Sequence, residues 1–186
     1  MFKDLVRNLV LSLLPDEKYH TGDVIGEWQD VITHKDGRVE ELPWRKNLIA
    51  KTFSTLAACL CKGEAGFAGL TYIEVGTGEV GWDSVTPAPD ANATGLVNPL
   101  ARKAVNVTFL DPSNNPTAAR TNRIQIEATF AVGEAIGTWR TFGAFGGNAT
   151  ATLGTGYLAD IVNHGRMDKT AGENDFSVTR RIRFTF

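Results

Sequence analysis

Thr71-Tyr-Ile-Glu-Val-Gly-Thr-Gly-Glu-Val-Gly-Trp82 admits two readings, and they lead to different folds. Gly76, Gly78 and Gly81 spell G-x-G-x-x-G behind an apolar run, the nominal fingerprint of a dinucleotide-binding turn in an α/β fold. That fingerprint works only where a helix begins at the glycines and aims its free amides at a pyrophosphate. Here Asp83-Ser-Val-Thr-Pro-Ala-Pro-Asp90 follows, and Pro87 and Pro89 work against a continuing helix. About twenty residues on, where an acidic side chain would hold the ribose, the chain reads Leu100-Ala-Arg102. The segment is therefore read as a strand ending in a glycine turn, followed by an extended proline loop, with no cofactor. Gly76 and Gly78 form the structural turn, at least one of them at positive φ.

Downstream the β character continues. In Arg123-Ile-Gln-Ile-Glu-Ala-Thr-Phe130 and Ser177-Val-Thr-Arg-Arg-Ile-Arg-Phe-Thr-Phe186, apolar residues alternate with polar ones, the period of a half-buried strand. Further strands are expected over 70–75, 101–110, 139–145 and part of 152–162. Asp111-Pro-Ser-Asn-Asn-Pro116, Gly133 to Gly137, Gly146-Gly147-Asn148 and Met167 to Asn174 supply the turns. Short strands at this spacing predict an antiparallel β-sandwich.

Upstream, Gly26 to His34 and Val39 to Trp44 flank the D-G turn Lys35-Asp36-Gly37-Arg38, which reads as a hairpin. Asn47 is then the expected cap of a helix. Leu48, Ile49, Phe53, Leu56, Ala57 and Leu60 follow at helical spacing, and Gly63 closes the segment. At the start of the chain, Phe2, Leu5, Val6, Leu9, Val10 and Leu13 share one helical face, and Pro15 ends that helix. The expected organisation is a helix and linker over residues 1–23 and a sandwich domain over 24–186. The fold class is thus mainly β, with an N-terminal helix and one packed internal helix.

The totals narrow the function classes. Nineteen basic and twenty-one acidic side chains leave a net charge of -2, with no basic stripe for nucleic acid. The N-terminal apolar run is broken by Asp4, Arg7 and Asn8, lacks a small-residue cleavage site, and is too short to span a bilayer. Neither export by that route nor membrane insertion is expected. Cys59 and Cys61 are read as small buried apolar residues in a reducing compartment.

No local pattern carries catalysis. His20, His34 and His164 stand singly, without metal-ligand spacing, and are read as surface residues. No G-x-S-x-G elbow occurs, and Glu40-Glu41 reads as a solvated strand end. Three sequons, at Asn92, Asn106 and Asn148, are coincidental in a chain without an export signal. Arg102-Lys103 and Arg180-Arg181 are isolated basic pairs. The expectation is a protein that is not an enzyme and has no metal site.

The order of the ordinary residues says more. Lys46-Asn-Leu-Ile49, Ile73-Glu-Val-Gly-Thr-Gly78, the Pro87-Ala-Pro-Asp90 loop, Thr94-Gly-Leu96, Arg102 and Gly133-Glu-Ala-Ile-Gly-Thr-Trp-Arg-Thr-Phe-Gly-Ala-Phe145 succeed one another. This order resembles a family of tailed-bacteriophage structural proteins that form tail fibres, tail collars or baseplates. The likeness runs over about residues 24–186, with Ala144 where the family has a larger apolar residue. It implies a non-enzymatic virion component made in the bacterial host cytoplasm, homo-oligomeric and bound to other tail, baseplate or neck proteins. Within it, Trp139, Phe142 and Phe145 offer large contact areas, and Arg102 and Arg140 either tie loops to carboxylates or lie on the surface. Phe2, Leu5, Leu9 and Leu13 are the candidate partner interface, with docking on the chain's own domain as the simpler alternative. Two other functions fit a compact β domain. One is a capsid decoration protein; the other is a carbohydrate-binding or hydrolytic module using exposed Trp28, Trp44 or Trp82.

Overall fold

The structure, a computed structural model, describes residues 24–186. The expected N-terminal helix, with Phe2, Leu5, Leu9 and Leu13, and the linker with His20 lie outside the described residues. The chain forms β1 (Ile25–His34), β2 (Val39–Glu41), β3 (Arg45–Lys46), β4 (Leu48–Ile49), helix α1 (Thr52–Lys62) and β5 (Ala68–Gly76). Then come β6 (Pro99–Ala104), β7 (Asn106–Leu110), β8 (Pro116–Thr117), β9 (Arg123–Phe130), β10 (Gly137–Gly147), β11 (Tyr157–Lys169) and β12 (Phe176–Thr185). One sheet runs β2-β1-β12-β9-β7-β8 with β3 also on β1; the other runs β4-β11-β10-β5-β6. The strand pairs described are antiparallel. This is the expected sandwich.

Its core follows from the alternation. On β12, Val178, Ile182 and Phe184 are fully buried; on β9, Ile126, Ala128 and Phe130 face the same interior. Ile73, Val75, Trp139 and Phe142 meet them from the second sheet. The Phe130 and Trp139 rings pack edge to face at 5.1 Å between centroids, a geometry that adds to their area burial. Helix α1 closes one end of the sandwich. Its Leu56 packs over the second sheet, while Phe53 stacks on Phe184 of the first at 5.9 Å. Gly63 ends the helix as expected, its N–H donating to Leu60 O.

Three expectations need correction. Asn47 does not cap α1. Leu48 and Ile49 pair with Ile161 and Asp160 as β4, and the helix starts at Thr52 behind Lys51, without a side-chain cap. The Asn47 carboxamide instead donates to Asp160 across the sheet. Next, the single strand expected over 101–110 is two strands in different sheets, broken at Val105, whose N–H donates to Thr71 O as the chain crosses over. Finally, Cys61 is exposed and Cys59 half-buried, and neither forms a disulfide. Two residues apart on a helix, they point to different sides of α1, and Phe53 and Leu56 are the buried positions of that helix.

Candidate functional site

The glycine turn anchors a long loop over residues 77–98. Behind β5 the chain makes one short 3-10 turn, Val80–Asp83, and then runs extended through the prolines. The amides of Thr77 and Gly78 donate to the carbonyls of Asn98 and Val97, which closes the loop at its base. Those are amides a pyrophosphate would need. Gly78 has φ +56°, and a Cβ there would fall 2.6 Å from the Trp82 ring. Gly78 thus meets the expectation of positive φ at one of the two glycines; Gly76 does not adopt it, and its role is close approach. A Cβ at Gly76 would sit 2.8 Å from Val97 O and 2.9 Å from Thr141 Cγ2. Gly78→Val should therefore destabilise the domain by more than about 1 kcal/mol in urea unfolding, through strain as well as contact. Parental stability in that variant would refute this account of the turn.

Three buried or half-buried ion pairs pin the loops to this scaffold. Arg140 on β10 forks onto Asp83, Nε to Oδ1 at 2.6 Å and Nη2 to Oδ2 at 2.9 Å, and its Nη1 donates to Thr77 O. Hydrogen bonds from Arg140, with Arg166 behind it, hold the Asp83 carboxyl below the usual carboxylate range. Arg102 on β6 binds Glu74 at 2.8 Å and donates to the carbonyls of Thr150 and Thr155, with its guanidinium 4.4 Å from the Phe145 ring centroid. Lys169 at the end of β11 binds Asp175 at 2.6 Å and Ala131 O at 3.0 Å, and Asp175 accepts the Gly133 N–H. Of the two roles open to Arg102 and Arg140, the structure selects loop-tying. A bidentate arginine fixes direction as well as distance, which suits loops that must hold one shape.

A second polar cluster lies between the sheets. Arg180 occupies an inward position of β12, in phase with Val178, Ile182 and Phe184, and is fully buried. Directly across on β1 stands Asp30, whose carboxylate takes Arg180 Nε at 2.7 Å and a second bond from Nη2. The guanidinium carbon lies 3.8 Å from the Phe142 ring centroid and 5.5 Å from those of Trp28 and Trp139. His164, read as a surface residue, is buried here beside Trp28 and Phe142; β11 runs through it to Lys169, past the turn expected from Met167. Burial, and then the Arg180 charge, push its pKa down to about 4. Asp160, fully buried, is pushed up to about 6 by burial, against the opposing bonds from Ala144 N–H and Asn47.

These two groups oppose each other in pH. Unfolded, His164 binds its proton near 6.5 and folded only near 4, so its share of the stability is lost as pH falls through that window. Asp160 is already protonated below about 6 when folded and only below 3.8 when unfolded, so its share is lost as pH rises through 6. Between pH 6 and 4 the slopes cancel. His164→Asn, which can keep the donor to Gly165 O, should gain up to about 3 kcal/mol relative to the parent as pH falls from 6.5 to 4. Asp160→Asn, its amide matched by a flipped Asn47, should lose about as much relative to the parent over the same range, roughly 3 kcal/mol. Urea titrations at several pH values check both signs, and variants that track the parent would refute the pairing.

Of the tryptophans expected to be exposed, Trp28 is in the core at 5% exposure. Trp44 is half-buried with the Arg183 guanidinium 3.6 Å from its ring centroid, and Trp82 is half-buried beside Gly78. Trp82, Glu79, Asp90 and Asn163 line a shallow pocket of about 390 Å³ beneath the 77–98 loop. Among the described residues, no three His, Cys, Asp or Glu side chains group closely enough to hold a metal ion, and no helix is long and apolar enough to cross a membrane. No protein-family model matches the chain, and neither does any curated protein.

Proposed function

We propose that this chain is a non-enzymatic structural protein of a tailed-phage virion, an assembly or adaptor component of the tail, baseplate, fibre or neck. It would work as a homo-oligomer against other virion proteins, with its N-terminal segment as a tether to neighbours. One observation supports this most: residues scattered along the motif order meet in space. Arg140 of the Gly133–Phe145 motif binds Thr77 O and Asp83 beside the glycine turn; Arg102 binds Glu74 within that same turn motif. Leu96 lies over Gly143, with Cδ2 3.4 Å from where a Cβ would stand. The motifs thus describe one pinned set of loops on a stiff sandwich, a surface suited to docking. Electron microscopy of particles carrying a labelled copy tests the reading, with the label expected at the tail, baseplate or neck. A label over the head would favour capsid decoration instead. The carbohydrate reading draws on the Trp82 pocket with its two carboxylates. Glycan-array binding abolished by Trp82→Ala, or cleavage of a host polysaccharide, would favour it over the structural role.

A further inference from the structure

The end of the sandwich closed by α1 carries an apolar groove. Leu56, Ala57, Leu60, Leu70, Ile124 and Phe186 line a part of about 330 Å³ where, among the described residues, no charged side chain takes part. Leu60 and Phe186 stand there 42% and 47% exposed, large apolar surfaces side by side in water. Across Phe53 and Phe186 the groove widens by about 820 Å³ toward Ile49, Ala50 and Val24, with Lys51 on its rim.

Val24 decides the occupant. It is the first described residue and it lines the groove, so the chain before it starts from this surface. Residues 15–23 separate Val24 from the apolar face of Phe2, Leu5, Leu9 and Leu13. Such a linker spans at most about 30 Å extended and about 17 Å on average. A helix over residues 2–14 would be roughly 20 Å long, marginal alone, and in need of an apolar surface. The short tether sets its local concentration at its own groove in the millimolar range, about a thousandfold above a second copy at micromolar concentration.

We propose that this groove is the seat of residues 2–14 of the same chain in the free subunit, their Phe2, Leu5, Leu9 and Leu13 side chains packing on Leu60, Phe186 and Val24. The seat stands independently of the virion reading. A segment held this way can also leave and take the same groove of a neighbour, the exchange that an assembly tether requires.

The exposed native Cys61 on the groove wall reads the contact. In full-length chains carrying Cys59→Ser, the substitutions Leu5→Cys, Leu9→Cys and Leu13→Cys are made one at a time. Asp4→Cys and Asn8→Cys, on the opposite face, serve as controls. At least one apolar-face cysteine should form an intramolecular disulfide with Cys61 at least about tenfold faster than either control, at a rate independent of protein concentration. Equal rates from both faces would overturn the seat. So would a bond that forms only between chains, as when Leu9→Cys/Cys61→Ser copies are mixed with copies keeping Cys61. Location of the protein outside the tail, baseplate, fibre and neck would sink the proposed assembly role and leave this test unchanged.

Discussion

Asp30→Ala should cost about 3–5 kcal/mol, a large share of the stability of a domain this size. The substitution leaves the Arg180 guanidinium fully buried, with three aromatic faces around it and no carboxylate across the strand. Those ring faces offset part of the missing charge, which places the loss toward the lower end of the range. In a thermal melt the midpoint should fall by roughly 10 °C. Replacing both partners by apolar residues, Asp30→Leu with Arg180→Met, should recover most of the loss, since desolvating two charges offsets much of their attraction. A single variant that melts like the parent would show that water reaches Arg180. A double variant as weak as the single one would show that the pair also orders the sheet.

Removing residues 1–15 should leave a folded sandwich that no longer enters particles. The described core runs from Trp28 to Phe184 and draws on both sheets and α1. Because these four apolar side chains already have a seat in the free subunit, exchange into a neighbour gains only part of their burial, and losing them should lower incorporation by at least about tenfold. The truncated chain bares the groove at Leu60 and Phe186, and Leu60→Glu is a useful companion substitution for its solubility. The measurement is the share of truncated protein found in purified particles, beside circular dichroism of the free protein. Normal incorporation would sink the tether, and so would a truncated chain that fails to fold.

The sandwich was legible because its strands alternate and its turns carry the expected residues. The hairpin at Asp36-Gly37 and the helix stop at Gly63 are local chemistry, and local chemistry shows in a sequence. Arg180 was half legible: the phase of β12 turns it inward, yet arginine reads as a surface residue until its partner is known. That partner, Asp30, is 150 positions away. Asn47 misled for a similar reason, since its carboxamide serves Asp160 across the sheet. The crossover at Val105 left no sign, because both strands around it keep β character and only the sheet changes. The loop-tying arginines were seen as candidates, but their carboxylates, Glu74 and Asp83, had no distinguishing neighbours in the sequence.

The strand order also governs when the protein can come into being. β12 lies between β1 and β9, and its register joins Ile25 to Thr185, so almost the whole described chain must be synthesised before β1 has its main partner. Pairing this distant in sequence is slow to nucleate and leaves strand edges bare in the meantime. A nascent chain stalled before β12 would hold β1 and β9 as open edges, prone to join with other chains. Synthesis through β12 therefore acts as a checkpoint: only a chain that already includes β12 acquires the sandwich on which any later docking depends.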